Sequence, residues 1–219
     1  MLEILTLPLG PVTTNAYLIA DSDSGAAAVI DPAWDGDIIL AEANRRNWQI
    51  GQLWYTHAHF DHFGGAAELA RSLPAIPSVA LHPGDHFLWN TGGGGALFGF
   101  RIEKGPTPNV DLALVRSLDL GNLTIEVRHT PGHTPGHCAF YCASAGVLFS
   151  GDLIFQRSVG RTDLPGGSTT ALLTSIRTQI FTLPGATRIL SGHGPGTTVG
   201  EEKKSNLFVQ GTDWQPREN

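Results

Sequence analysis

The amino-acid sequence predicts an α/β protein in which two mixed β-sheets pack face to face and helices cover both outer faces, a four-layer α/β/β/α sandwich. Apolar runs of strand length and apolar patterns of helical spacing occur in both halves of the chain, and each half has its strands before its helix. The halves share this plan without a sequence repeat at a fixed period. Of the 219 residues, 41% are hydrophobic and 16% are charged, a composition that can fill a core of two or four layers.

In the first half, short apolar runs predict strands over residues 3–7, 15–20, 26–30, 52–56 and 78–81. A helix is expected over residues 37–46, because Asp37 lies in its first turn, where the helix dipole favours an acidic side chain. A second helix is expected over residues 64–73, since Ala66, Leu69 and Leu73 keep the spacing of a helix with one apolar face.

In the second half, strands are expected over residues 123–129, 139–142, 147–150 and 188–191. Residues 123–129 alternate apolar and polar side chains, which is typical of a strand with one buried face. A helix is expected over residues 169–181, where Leu172, Ile176 and Ile180 fall on one face, and a short helix over residues 201–208.

Two stretches have a simple interpretation. Residues 92–95 are four consecutive glycines. We predict a loose surface loop there, and the alternative is a flap over a site.

The two cysteines, Cys138 and Cys142, would lie about 13 Å apart on one strand at about 3.3 Å per residue, beyond the roughly 7 Å that a disulfide allows. We therefore predict two buried, unpaired thiols.

Potential metal ligands are most closely spaced in residues 55–62, which read Tyr-Thr-His-Ala-His-Phe-Asp-His. Four potential metal ligands follow a predicted strand directly: His57, His59, Asp61 and His62. Neutral imidazoles and a carboxylate suit zinc, iron or manganese, whereas an all-oxygen set suits calcium or magnesium. The pattern predicts a metal site on the loop after the strand.

Three further polar side chains stand beside glycine at the ends of predicted strands, namely His133, Asp152 and His193. Glycine lets the backbone come close to a common centre. With the first cluster they make five histidines and two aspartates, enough for two metal ions that share a carboxylate. His137 is expected to hydrogen-bond within the site without binding metal, and Asp31 either orients a ligand histidine or caps a turn.

The motifs T-H-A-H-F-D-H, T-P-G-H-T-P-G-H, S-G-D and S-G-H-G-P-G resemble those of the metallo-β-lactamase superfamily in order and approximate spacing, from Asn15 to Phe208. Within it, residues 160–167 and 200–208 are similar to the short, single-domain bacterial hydrolases of the glyoxalase II kind, apart from Leu207, where proline is usual. The resemblance implies the metallo-β-lactamase fold in one domain, residues 1–219, without the C-terminal helical domain of full-length glyoxalase II.

The resemblance also implies a ligand set. One metal ion takes His57, His59 and His133, a second takes Asp61, His62 and His193, and Asp152 bridges the two. The implied cofactors are two divalent ions, zinc first, with iron or manganese as alternatives, and Asp61 and Asp152 are the implied catalytic residues. Arg161 is the implied substrate-binding residue, because related enzymes contact glutathione through a cation at about this place. The alternative is a surface arginine paired with Asp163.

The sequence offers no serine or cysteine nucleophile with an evident base, so water is the expected nucleophile. Two metal ions about 3.5–4 Å apart can hold a hydroxide and polarise a carbonyl, and their residual charge favours an oxyanion. A thiolate leaves without a general acid because its conjugate acid has a pKa near ~8.5. The site therefore predicts hydrolysis of a thioester, without excluding esters or lactones, and the resemblance implies a metal-dependent thioesterase that cleaves S-D-lactoylglutathione or a related acyl thioester.

Three other functions are alternatives to the thioesterase. A mono-iron persulfide dioxygenase is the alternative, since that family also resembles residues 160–163, although its last motif reads A-H-D-Y where this chain has G-H-G-P. A β-lactamase is disfavoured because such enzymes of this fold are exported and lack a carboxylate like Asp152. A binding protein on a decayed hydrolase fold is disfavoured because none of the seven ligands is missing.

Charge and hydropathy limit the partners and the location. A formal net charge of −6 disfavours nucleic acid, whose phosphates need clustered lysine and arginine. The N-terminus lacks a basic region, and no run approaches the roughly 20 apolar residues of a membrane span. We expect a cytoplasmic protein that acts on a small-molecule thioester, with no nucleic-acid or membrane partner. The sequence leaves the oligomeric state open.

Overall fold

The computed structural model describes residues 1–210, and it contains two six-stranded sheets, a small two-stranded sheet and helices on both outer faces. The predicted four-layer α/β/β/α sandwich is confirmed. Residues 211–219 of the predicted domain 1–219 lie outside the described residues. None of the helices within residues 1–210 combines the length and the apolar run that crossing a bilayer requires.

The first sheet is mixed. Its strands are β1 (Leu2–Leu9), β2 (Thr14–Asp21), β3 (Ala26–Ile30), β4 (Gln49–Trp54), β5 (Ser78–Leu81) and β6 (Val110–Asp111), which lie side by side in chain order. The first three strands pair antiparallel, and β3 to β6 pair in parallel. All five strands predicted in this half are present, and β6 is an addition.

The second sheet is also mixed and has the order β14-β13-β10-β9-β8-β7. Its strands are β7 (Ser117–Leu120), β8 (Leu123–His129), β9 (Cys138–Cys142), β10 (Val147–Gly151), β13 (Arg188–Ser191) and β14 (Thr197–Thr198). Only β10 and β13 pair in parallel. Between these two strands in sequence, β11 (Ile154–Phe155) and β12 (Ser158–Val159) form the small antiparallel sheet.

Large apolar side chains fill the layer between the two sheets. Tyr17 and Trp54 contribute from the first sheet, and Phe140 and Phe149 contribute from the second. The Tyr17 and Phe149 rings meet edge to face with centroids 5.1 Å apart, an arrangement that aromatic pairs favour. Both cysteines lie buried and unpaired in this layer, as predicted.

The helices cover the outer faces. They are α1 (Gly36–Arg45), α2 (Phe60–Phe63), α3 (Ala66–Ser72), α4 (His86–Asn90), α5 (Thr169–Ser175), α6 (Val199–Ser205) and α7 (Leu207–Gln210). Ile39 of α1 and Leu69 of α3 pack on the outer face of the first sheet, and Leu172 of α5 packs on that of the second. These three helices therefore bury apolar side chains against the sheets.

Three helix predictions need correction. The helix expected over residues 64–73 starts at Ala66, and α2 precedes it, so that Asp61 and His62 lie on a helical turn and not on a loop. The helix expected over 169–181 changes at Ile176 into a π-helical segment, Ile176–Ile180. The helix expected over 201–208 is two helices separated by Asn206.

Hydrogen bonds join the two sheets at one end of the sandwich, beside the strand ends that carry the predicted ligands. The Asn15 amide N donates to the Gly192 carbonyl over 2.7 Å. The Tyr17 hydroxyl donates to the Ser191 carbonyl over 2.6 Å, and the Asn15 side chain donates to the Ser191 and Gly194 carbonyls. The start of β2 thus fixes the chain on both sides of His193.

Candidate metal centre

The structure brings all seven predicted ligand residues together where β4, β8, β10 and β13 end. The first group contains the three imidazoles of His57, His59 and His133. His57 Nε2 lies 3.1 Å from His59 Nδ1, which lies 2.8 Å from His133 Nε2. Three buried nitrogens that converge on one point form the donor set that zinc takes in three-histidine sites.

The second group contains Asp61, His62 and His193. Asp61 Oδ2 lies 3.5 Å from His62 Nε2 and 3.3 Å from His193 Nε2. Asp152 stands between the groups, because its Oδ1 lies 3.4 Å from His62 Nε2 and its Oδ2 lies 3.7 Å from His133 Nε2. A single carboxylate therefore faces both sets of donors.

Unpaired buried atoms test whether this cluster fits metal ions. Within residues 1–210, His62 Nε2 and Asp152 Oδ1 are among the few buried side-chain atoms that have no hydrogen-bond partner. A buried polar atom without a partner costs about 1–3 kcal/mol. A cation between these two atoms, which face each other over 3.4 Å, would satisfy both. The residues fit metal binding on their own chemistry.

Hydrogen bonds to the outer ring nitrogens orient two of the imidazoles. His62 Nδ1 donates to Asp31 Oδ2 over 2.9 Å, and His133 Nδ1 donates to the Arg161 carbonyl over 2.7 Å. The network assigns the proton of each ring to Nδ1, which leaves the Nε2 lone pair directed into the cluster. Of the two predicted roles of Asp31, orienting a ligand histidine is therefore confirmed.

His57 is oriented through Thr56. The Thr56 hydroxyl donates to Asp31 Oδ2 over 2.7 Å, so His57 Nδ1 donates to that hydroxyl over 3.0 Å and its Nε2 faces the cluster. His137 packs against His57 with ring centroids 5.3 Å apart, and its Nε2 accepts from the Asp152 amide N over 3.2 Å. The prediction that His137 hydrogen-bonds within the site is confirmed.

Burial and mutual charge set the protonation of the cluster. Burial and the neighbouring histidines lower the pKa of His57 well below its ordinary value and that of His59 to about 3, so both rings are neutral. Burial acts to lower the pKa of His62, but Asp152 and Asp61 outweigh it and raise that pKa. Burial acts to raise the pKa of Asp152, but the charge of His62 holds it well below its usual range. The ionised carboxylates of Asp61 and Asp152 thus favour positive charge at His62, which a bound cation would supply in place of the proton.

Close packing at Gly192 explains the glycine before His193. A Cβ at residue 192 would collide with Asp152 Oδ1 and would lie 2.8 Å from His62 Cε1. Any larger residue would push the bridging carboxylate out of position. The prediction that glycine lets the backbone approach the centre is confirmed here.

Two supporting side chains were not predicted from the sequence. The Thr14 hydroxyl donates to Asp61 Oδ2 over 2.9 Å. The buried Asp85 accepts from the Ala58 amide over 3.0 Å, the Thr134 hydroxyl over 2.7 Å and the Gly136 amide over 2.6 Å. Asp85 thus joins the loop of His57 and His59 to the loop of His133. Its local sequence, Pro-Gly-Asp, is that of an ordinary turn, so nothing in the pattern marks this role.

Asp85→Asn is expected to destabilise the protein and to weaken metal binding. One carboxylate oxygen becomes an NH₂ group, which cannot accept a hydrogen bond, so a buried donor loses its partner at a cost of about 1–3 kcal/mol. Urea unfolding of the metal-free protein measures the stability, and chelator competition measures the metal affinity, which we expect to fall about tenfold. The exposed Asp119→Asn is the matched control. Equal urea midpoints for the two variants would contradict the role of Asp85.

A cavity of about 380 Å³ opens above the cluster. Its floor contains atoms of His59, Asp61, His133, Asp152 and His193, and its walls are largely aromatic and aliphatic. A volume of this size and an apolar lining with a few polar groups are typical of a small-molecule site.

The glycine run forms part of this cavity, so the prediction of a loose surface loop is wrong. Gly93 is buried and lines the cavity, and its carbonyl accepts from the Phe60 amide over 3.0 Å. A Cβ at residue 93 would collide with the Phe60 backbone, and φ there is +64°. Glycine is needed because the segment packs directly against the metal loop.

Arg161 lines the cavity and also pairs with Asp163. Its guanidinium donates two 2.7 Å hydrogen bonds to that carboxylate, and both side chains are more than half exposed. Both predicted positions of Arg161, at the substrate cavity and in an ion pair with Asp163, therefore describe the same side chain. Its role in binding substrate remains a prediction.

The profile of the Metallo-beta-lactamase superfamily matches residues 9–193, which include all seven converging side chains. The chain belongs to the metallo-β-lactamase superfamily. The curated hydroxyacylglutathione hydrolase GloC of Haemophilus influenzae is 32% identical over 216 residues, which cover 95% of this chain and 98% of GloC. The protein is thus a metal-dependent hydrolase of this superfamily.

Two solved structures of superfamily members extend the comparison. The BLEG-1 B3 metallo-beta-lactamase is 39% identical with a TM-score of 0.88, and the match covers 96% of this chain and all of that one. TTHA1623, whose structure was solved in a di-iron-bound form, is 38% identical with a TM-score of 0.83, and the match covers 93% of this chain and 99% of that one. The four-layer fold is therefore shared along almost the whole length.

Proposed function

We propose that the protein is a thioesterase of the glyoxalase II kind, which hydrolyses S-D-lactoylglutathione or a related acyl thioester with two divalent metal ions. One observation carries the proposal: two sets of metal donors share Asp152 at the floor of a cavity of small-molecule size. His57, His59 and His133 would hold one ion, and Asp61, His62 and His193 the other, with zinc as the first choice. The similarity to GloC supports this reaction.

Water is the nucleophile that the cavity lining favours. Among the described residues that line the cavity there is no serine or cysteine, and the hydroxyl of Thr91 donates to backbone carbonyls of its own helix. When bound, two divalent cations polarise a carbonyl and lower the pKa of water. Burial acts to raise the pKa of Asp61, but His62 and His193 outweigh it and lower that pKa to about 2. Asp61 is therefore ionised near neutral pH and can orient a water molecule by accepting a hydrogen bond from it.

The leaving group distinguishes the thioesterase from a β-lactamase, which the similarity to BLEG-1 makes the second candidate. A thiolate departs unprotonated, since a thiol has a pKa near ~8.5, whereas an amide nitrogen must gain a proton as it leaves. Burial lowers the pKa of His59 to about 3, so this ring holds no additional proton that it could donate near neutral pH. A thioester is therefore the substrate class whose hydrolysis requires no general acid at this site.

One experiment separates the candidate functions. The purified protein, loaded with zinc, iron or manganese, is assayed with S-D-lactoylglutathione and other acyl thioesters, a chromogenic cephalosporin, and glutathione persulfide with an oxygen electrode. Metal content is measured on the same samples. We expect thiol release and two ions per chain. One iron per chain with oxygen uptake would establish the persulfide dioxygenase instead, and cephalosporin hydrolysis without thiol release would establish the β-lactamase. As further proposals, the substrate is a small molecule and the protein acts in the cytoplasm.

Arg161→Met is expected to raise KM about fivefold for a thioester whose thiol carries a carboxylate, because an exposed charge pair contributes up to ~1 kcal/mol. The expected KM for an uncharged thiol ester stays within twofold. Arg71→Met is the matched control, since Arg71 also pairs with an acidic side chain, Glu103, and is also largely exposed. Steady-state kinetics on paired substrates measures both values, and an equal effect on both esters would rule out a contact with the carboxylate.

A further inference from the structure

One wall of the cavity is built from aromatic rings that begin at the metal loop. Phe60 lies between the candidate ligands His59 and Asp61, and its ring stacks on Phe98 at 5.5 Å and on Phe100 at 5.3 Å between centroids. We call Phe60, Phe98 and Phe100 the aromatic wall. The aromatic wall therefore begins beside the candidate ligands at the floor of the cavity.

The aromatic wall continues to the mouth of the cavity as exposed apolar side chains. Phe98 is 51% exposed, Leu97 is 74% exposed and Phe87 is 76% exposed, and all three line the cavity. Side chains of this kind are ordinary when they are scattered, but a contiguous set around a cleft indicates a surface that an apolar ligand covers.

Positive charge is scarce around the same cavity. Among the described lining residues, Arg161 is the one lysine or arginine, and Asp163 already pairs with it. Lys203 lies over the Phe181 ring and does not line the cavity. The lining therefore offers one contact for a charged thiol and a long apolar surface for the remainder of the substrate.

We infer that, among the acyl thioesters of the proposed function, the preferred substrates carry an aliphatic or aryl acyl chain that lies along the aromatic wall, and that the small hydroxylated lactoyl group is hydrolysed more slowly. The inference rests on the proposed thioesterase function and names its substrate class. The charged thiol carrier lies toward Arg161, and the apolar chain lies toward Phe98 and Leu97.

Each methylene added to the acyl chain is expected to raise kcat/KM. Complete burial of one methylene contributes about fourfold in kcat/KM. The outer part of the wall is half exposed, so we expect about two- to fourfold for each methylene from acetyl to hexanoyl, and a plateau once the chain reaches the mouth.

The test uses the full chain loaded with metal and a series of glutathione thioesters: acetyl, butanoyl, hexanoyl, octanoyl and D-lactoyl. A second series keeps the butanoyl group and varies the thiol among glutathione, coenzyme A and N-acetylcysteamine. Calorimetry with acetate, hexanoate and octanoate measures binding without turnover. We expect kcat/KM and carboxylate affinity to rise with acyl length. A flat or falling acyl series, or lactoyl as the fastest substrate, would overturn the inference.

Variants test the wall itself. Phe98→Ser and Leu97→Ser are expected to reduce the gain for each methylene to less than twofold, with their folding checked by thermal unfolding. Leu114→Ser is the matched control, because Leu114 is 82% exposed and lies outside the cavity lining. Chain-length-dependent carboxylate binding without any thioester hydrolysis would refute the proposed function and leave the wall assignment intact. Hydrolysis with no chain-length dependence would refute only the wall assignment.

Discussion

Asp152→Asn is expected to lower kcat/KM for a thioester on the order of 10³-fold, which corresponds to several kcal/mol of lost charge stabilisation in a metal-dependent transition state. Asp152 faces both donor groups, with Oδ1 3.4 Å from His62 Nε2 and Oδ2 3.7 Å from His133 Nε2. An amide offers one neutral oxygen and an NH₂ group in place of two charged oxygens. The substitution keeps the shape of the side chain, but the amide can no longer offer one charged oxygen to each donor group.

Metal content separates this explanation from a general loss of structure. We expect Asp152→Asn to hold fewer than two ions per chain by elemental analysis, while its circular dichroism spectrum matches that of the parent. Asp119→Asn, an exposed carboxylate on the second sheet, is expected to keep full activity and metal. Two tightly held ions together with unimpaired turnover in Asp152→Asn would contradict the bridging role.

Removal of metal by a chelator is expected to lower the melting temperature by about 8–16 °C. A ligand at a thousandfold its Kd stabilises the folded state by about 4 kcal/mol, and each kcal/mol corresponds to about 2–4 °C in a chain of this length. The stabilisation is lost because the ions bind the folded cluster, in which Asp61 and Asp152 lie 3.5 and 3.4 Å from His62 Nε2, and these donors are apart in the unfolded chain.

Scanning calorimetry with and without chelator measures this shift, and readdition of zinc, iron or manganese in turn ranks the ions. We expect the same chelator to move the melting temperature of a His193→Ala variant by a smaller amount, since that variant lacks one of the three donors of the second group. Identical melting curves before and after complete metal removal would show that the cluster is not a metal site.

The sequence allows the strands and the ligand residues to be predicted because both leave local signals. The segment Leu123–His129 alternates its side chains and is a strand over the same residues in the structure. His57 to His62 stand so close together that few other interpretations remain. The two-residue strands Val110–Asp111 and Thr197–Thr198 leave no such signal, because only the pairing of each with a neighbouring strand defines it.

The missed parts of the site depend on distant contacts. Asp85 is recognisable only when Ala58 and Gly136 are beside it, and these residues are far apart in the chain. The prediction of a loose loop at residues 92–95 is wrong for the same reason. The glycine composition indicates flexibility, but it carries no information about the Phe60 backbone that packs against Gly93. The local sequence pattern identifies the metal-donor residues and the secondary-structure elements, whereas tertiary packing determines which loops line the cavity.

The hydrogen bonds that fix both sides of His193 to the start of β2 have a consequence for biosynthesis. During translation, β2 and the histidine-rich loop leave the ribosome early, whereas Asp152 and His193 emerge much later. The growing chain therefore exposes half of a chelating surface long before its counterpart exists. The full set of seven donors therefore forms only when the last strands of the second sheet have docked.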